Sequence, residues 1–401
     1  MTTDRSHRTR RAPSCNIDIY STACIENPVP AYHQMLSSGP IVWLEPLEMH
    51  AICGYDVLTM SLRNYRVFRS GAGVSINEDV NKVLIGSTLN SDPPQHDETR
   101  AITFAPLSPK ALGIVRQRIE QEAEQLADRA VAMGQLDAAQ ALAPHLPMTV
   151  VRDLVGLGAH GKEQMLDWAA ATFELMGDPR DRRETALQNL KSLRSFLDNP
   201  ATLSHLDPDG WAQRATQRGL SRGIAPDKAS ELMRDYIAPS LDTTISAIGY
   251  AMMLFAQNPD AWHQLRADRS LIPNAIEEVV RLNTPIKMFS RLVAEPVEVA
   301  GVPLSKGERV LMVFGAANRD ASRFAEPDRF DISRNTRGHV GFGHGVHACL
   351  GMHLARLEMK CLLNALADRV ESIEITGKIE PARNSTIHAY KSIPVKLTEA
   401  R

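Results

Sequence analysis

Cysteine is scarce in this sequence. Five thiols, Cys15, Cys24, Cys53, Cys349 and Cys361, are scattered over 401 residues. That is too few, and an odd number, for a disulfide framework, and it fits a reducing cytoplasm. Charge of one sign is lacking as well. Lys and Arg total 45 against 47 Asp and Glu, a net charge of −2 with both signs interspersed. Nothing therefore points to nucleic acid or an anionic membrane as a main partner. No apolar run approaches the length of a membrane span, and no apolar signal core follows the N-terminal arginines. Repeats, low-complexity tracts and long linkers are absent too, which argues against solenoids and strings of domains.

What is present is a large apolar fraction, 43% of the residues, ample for an extended core. The basic N-terminus (Arg5, Arg8, Arg10, Arg11) reads as a disordered tail over residues 1–14. Residues 31–38 suit a short helix. "PIVWLEP" and "HAICGY" read as short strands between Pro and Gly. Residues 70–95 are rich in Gly, Ser and Asn and read as an irregular, functional loop. A long helix is predicted from Ser108, with Pro109 in its first turn and Gly134 at its end. Helical patterning dominates to about residue 285. Strand-like pieces return at 291–304 and 308–313, an amphipathic helix covers about 351–369, and short alternating runs fill 371–398. The chain is thus mainly α with a smaller β portion (α+β). Strand material near both ends predicts one interleaved domain over 1–401.

The most informative stretch is "GHVGFGHGVHACLGMHLARLEMK", residues 338–360. Gly341, Gly343 and Gly345 precede Cys349, and Gly351 follows it. Such glycine density lets a backbone pass close to something and adopt positive φ. A helix starting just after Cys349 favours a thiolate there. The expectation is a pre-ionised sulfur surrounded by amides, which suits a nucleophile or a metal ligand better than a core cysteine. A nucleophile would want an oriented histidine base. Zinc would want converging ligands, yet His339, His344, His347 and His353 match no zinc spacing. A lone thiolate suits haem iron. Cys361, on the apolar stripe of the next helix, reads as core.

The segment Phe342-Gly343-His344-Gly345-Val346-His347-Ala348-Cys349-Leu350-Gly351 resembles the haem-binding loop of the cytochrome P450 family, F-G-x-G-x-H-x-C-x-G, at every fixed position. Further stretches agree in order. "HDETR" resembles the helix that clamps the haem propionates, "LDTT" at 241–244 resembles the acid–alcohol pair of the distal helix, and "EEVVR" resembles the E-x-x-R pair. "PDRFDISR" at 327–334 fits the segment before the haem loop. The resemblance runs from about Pro30 to Leu397. It is closest to soluble bacterial members acting on small aromatic compounds.

The resemblance implies a triangular helical body with haem b between the distal helix and the proximal cysteine loop. It makes Cys349 the axial ligand of the iron. His96, Arg100, Arg291 and His347 would hold the propionates, with Phe342 and Gly343 also against the cofactor. Thr243 would hydrogen-bond dioxygen, and Asp242 would relay protons toward it. Glu278 and Arg281, at i and i+3 on one helix face, would form a structural charge network with Arg329 or Arg334. Ile76, Phe173, Met176, Ser240, Ile286, Phe289 and Ile387 fall in substrate-contacting regions. One departure is Pro239-Ser240, where the family commonly has a small pair. Pro239 lacks an N–H, so the helix is expected to kink there.

The implied activity is a monooxygenase that inserts one atom of O2 by hydroxylation or O-demethylation. Electrons would come from NAD(P)H through a ferredoxin reductase and a small iron–sulfur ferredoxin. The loop "SGAGVSINEDV" carries Glu78 and Asp79 and no Arg, which favours a neutral aromatic or terpenoid over an anion. The ferredoxin would dock near Cys349 on positive charge from Arg337, His339, His344, Arg356 and Lys360. A cytoplasmic monomer is expected. The alternatives are a peroxide-driven peroxygenase, which would tend to lack the acid–alcohol pair, and a non-catalytic haem-thiolate binding protein.

Overall fold

A computed structural model describes residues 12–159, 161 and 163–400. Residues 1–11 of the expected tail lie outside the described residues, while residues 12–14 are described. Ser14–Cys15 already forms a strand, parallel to Trp43 and Leu44. That strand is one edge of a six-stranded sheet. The order runs Ser14–Cys15, Ile41–Leu44, Met49–Ile52, Arg309–Met312, Phe289–Val293, Phe68–Arg69. A three-stranded sheet brings Gln135–Asp137 beside Pro394–Glu399, which pairs with Val370–Ile375. Both sheets therefore join segments hundreds of residues apart.

The helices follow local sequence rules closely. Pro109–Met133 is capped by Ser108, whose hydroxyl accepts from the Ala111 amide at 3.4 Å, and it ends at Gly134 with φ +65°. Met352–Arg369 packs along it. The long helix Ala238–Gln257 is apolar nearly all round and runs through the core. Among the described residues, no helix is long and apolar enough to cross a membrane.

Pro239 behaves differently from the expected kink. The helix does not run through it; it begins there. Pro239 occupies the first turn, where a missing N–H costs nothing, after a 3₁₀ segment Leu232–Tyr236. Tyr236 anchors that segment by donating its hydroxyl to the Thr103 carbonyl at 2.9 Å. The irregular stretch 70–95 also differs in part, because Glu78–Leu84 is helical, with Asn77 capping Asp79 N.

Candidate active site

Cys349 sits on a loop that only glycine could build. A Cβ on Gly341 would fall 2.7 Å from the Val280 carbonyl oxygen. At Gly345, with φ +70°, a Cβ would fall onto the Leu62 carbonyl. The loop closes where Cys349 N donates to Phe342 O at 2.7 Å. Burial pushes the Cys349 thiol up, opposed by the amides of Gly351 and Met352 and by the Arg100 and Arg356 guanidiniums. The amides are where the glycine pattern put them, yet burial wins. A bound metal ion would favour the thiolate over the thiol.

The loop is braced from below. Arg281 holds Glu278 through two bonds of 2.7 and 2.8 Å, with both side chains fully buried. Arg334 adds a bond to Glu278 at 3.0 Å. Arg329 turns away to Glu326 and Asp331. Arg281 also donates to the Asn318 carbonyl at 2.8 Å, and the Asn318 side chain accepts from Val340 N at 2.7 Å. The charge network thus reaches the start of the cysteine loop.

Cys349 lines a cavity with about 1530 Å³ of empty space, its opening to solvent included. The long helix supplies part of the lining through Pro239, Ser240 and Thr243. Thr243 donates to the Pro239 carbonyl at 3.0 Å, the back-bond common for helical threonines. Asp242 stands outside the cavity lining, and burial pushes its carboxyl up to about 8.

A group of nitrogen donors gathers in the same cavity. Arg100, Arg291 and His347 line it, and His96 stands behind, its ring 4.5 Å from that of His347 at 67°. Arg100 donates to the Ala348 carbonyl at 2.7 Å. Arg291 is buried, and its guanidinium donates to the neighbouring Ser290 carbonyl at 2.8 Å. Burial pushes it down to about 10. His347 is pushed down to about 2 by burial and then by Arg291, His96 and Arg100, so its imidazole is neutral. Nε2 of both histidines is buried with no hydrogen-bond partner. The unpartnered nitrogens of His347 and of His96 behind it, with buried Arg291 and half-buried Arg100 around one thiol, fit a large planar group bearing two carboxylates. Haem is such a group. Among the described residues, no three His, Cys, Asp or Glu side chains converge as a metal-holding cluster, so the zinc alternative has no ligand set.

Of the residues assigned to substrate contact, Phe173, Met176, Ser240, Ile286 and Phe289 line the cavity. Ile387 is buried in the apolar cluster of Phe173 and Phe289 and pairs with Ile286, one layer back. Ile76 packs against a different cluster, although its amide reaches the Met176 carbonyl. Sequence reasoning missed Thr88, Leu89, Asp235 and Phe314 in the lining. The signal for Asp235 was there: an acid just before a long apolar run.

The cations near the loop also sort differently. His339 and Arg356 are both spent on Glu277, at 2.9 Å and at 2.6 and 2.7 Å. Arg356 further lies over the Phe342 ring at 4.7 Å. His344 accepts from Arg63 Nε at 2.7 Å. The exposed charge beside the loop is therefore Arg63 and Arg337, with Lys360 partly exposed.

Comparison with known proteins gives consistent likenesses. Residues 215–371 match the family model described as Cytochrome P450. The chain is 34% identical over 395 residues to cytochrome P450 CYP199A2 of Rhodopseudomonas palustris, covering 97% of this chain and 95% of that protein. It is 27% identical to 6-deoxyerythronolide B hydroxylase of Saccharopolyspora erythraea, covering 91% and 95%. Among solved structures, P450BioI in complex with an acyl carrier protein ligated to hexadec-9Z-enoic acid superposes with a TM-score of 0.84. That match covers 94% of this chain and all of the other at 23% identity, a likeness of fold alone.

Proposed function

The chain belongs to the cytochrome P450 family, whose members bind haem and act as monooxygenases, and from that footing we propose that it oxidises a small, neutral aromatic or terpenoid substrate by hydroxylation or O-demethylation. The observation that carries this reading is the thiol of Cys349 and the hydroxyl of Thr243 in one cavity. Bound haem would supply an iron at which thiolate ligation promotes cleavage of the O–O bond. Cys349 would be its ligand. Arg100, Arg291, His96 and His347 would meet the propionates, and Phe342 and Gly343 would form part of its bed. Thr243 would present a hydroxyl to the oxygen site from inside the cavity. Asp242, adjacent on the helix and protonated at neutral pH, would resupply protons from behind it. Glu278, Arg281 and Arg334 would hold the loop in place and take no part in the chemistry.

Arg63, Arg337 and Lys360 favour a small acidic ferredoxin as electron donor, docking weakly and with salt sensitivity. The balanced charge favours a cytoplasmic protein, and we read the chain as a single-domain monomer.

The deciding experiment is the carbon monoxide difference spectrum of the reduced protein. A Soret band at the thiolate position supports Cys349 as ligand. A band at the position typical of histidine ligation would remove the thiolate. No haem band in folded protein would overturn the reading. Turnover with peroxide and none with a ferredoxin would favour the peroxygenase alternative. No NADH consumption with any ligand would favour a binding protein.

A further inference from the structure

The cavity contains a polar pair that the proposed chemistry does not use. Thr88, from the irregular loop, and Asp235, from the 3₁₀ segment before the long helix, both line it. Thr88 is 5% exposed. Its Oγ1 and the Oδ2 of Asp235 are both buried without a hydrogen-bond partner. Burial raises the Asp235 carboxyl to about 6, against the nearby Thr88 hydroxyl and amide and the guanidiniums of Arg234 and Arg100, which lower it. Arg100 spends a bond on Ala348, and none of these groups satisfies Oδ2. The substrate lining nearby is apolar: Leu89, Phe173, Met176, Ile286 and Phe289. Buried polar atoms left open toward an otherwise apolar cavity are how a site fixes a ligand's orientation and selects its chemistry.

We propose that Thr88 and Asp235 form a subsite for a hydroxyl group on the substrate, so that the preferred substrate is an alcohol or phenol on an apolar body. A hydroxyl matches both members at once: it donates to Asp235 Oδ2 and accepts from Thr88 Oγ1. An ammonium could donate to Asp235 but could not accept from Thr88, and it would share the cavity with the Arg100 guanidinium. A carboxylate would face Asp235 as a like charge and could not donate. A bare hydrocarbon would leave both buried atoms unsatisfied. The proposal rests on the haem-monooxygenase reading and narrows its substrate class.

The test uses haem-loaded protein that shows the thiolate carbon monoxide band. Four probes of one shape are titrated by spin-state absorbance and by calorimetry: 4-methylbenzyl alcohol, 4-methylbenzylamine, 4-methylbenzoate and p-xylene. The alcohol is expected to bind about 10-fold or more tighter than p-xylene, with the benzoate weakest. D235N, which keeps the shape and removes the charge, should erase most of the gap between alcohol and benzoate. T88V should lower alcohol affinity roughly 3- to 10-fold and leave p-xylene unchanged. Both variants must retain the band, which shows that they fold and bind haem. Equal ratios in wild type and variants, or tightest binding of the amine or the benzoate, would overturn the subsite and leave the monooxygenase reading standing. Absence of the band from the wild type would overturn both.

Discussion

Arg100 donates to the carbonyl oxygen of Ala348 at 2.7 Å, which ties the helix Gln95–Thr103 to the residue just before Cys349. Two segments 248 positions apart in sequence thus meet through one guanidinium. That side chain has further donors for an anionic ligand in the same cavity.

Replacing Arg100 should therefore loosen the cofactor. R100A is expected to lose haem to an apomyoglobin acceptor roughly 10- to 100-fold faster, from the loss of charge-assisted bonds. R100K should fall between, since it keeps the charge and loses the planar fork. An unchanged release rate in R100A would show that this arginine holds only the loop.

Glu278 is fully buried between Arg281 and Arg334. E278A would leave two buried guanidiniums facing each other with no counter-charge. The expected cost is about 3–5 kcal/mol in chemical denaturation followed by circular dichroism. Because Arg329 pairs with Glu326 and Asp331 instead, R329A should cost under about 1 kcal/mol. The two variants together test which arginine completes the network.

Asp242 gives a pH dependence with a definite sign. Its carboxyl is raised from 3.8 to about 8 by burial. Between these values the folded protein holds a proton that the unfolded chain has released, so stability falls as pH rises through that window. D242N removes the penalty. Its melting temperature should exceed that of the wild type by a few degrees at pH 8, and the gap should close below pH 4. If the residue also resupplies protons, product formation by D242N should be slower at neutral pH. Equal melting at pH 8 would show that the carboxyl ionises freely in the fold.

Glu277 has the opposite sign. Burial would raise its carboxyl, but His339 and Arg356 together hold it at about 2, against 4.5 for a free group. The stabilisation is present above pH 4.5 and is lost as pH falls toward 2, a swing on the order of 3 kcal/mol. R356A should move the acid-unfolding midpoint to higher pH. An unshifted midpoint would mean that His339 alone suffices.

The sequence was most legible where chemistry is local. Ser108, Pro109 and Gly134 bound their helix as capping rules require. The glycines around Cys349 mark a backbone that presses on Val280 and Leu62, though their partners were invisible. Glu278 and Arg281 share a helix turn, so their pairing could be read, but nothing in the string separates Arg334 from Arg329. His339 and Arg356 looked like surface charge because their partner, Glu277, lies 62 and 79 residues away. Asp235 and Thr88 are 147 positions apart, and only the fold makes them neighbours. Pro239 was read as a kink because its place relative to a helix start depends on the 3₁₀ turn before it, which tertiary contacts of Tyr236 fix.

Asn318 turns the molecule into its own structural gauge. Its carbonyl accepts from Arg281, its amide nitrogen donates to Thr284, and its side-chain oxygen accepts from Val340 at the head of the cysteine loop. Damage to the buried charges has a short route to the thiol. With Cys349 as the proposed haem ligand, weakening of the fold there would register as a change of colour.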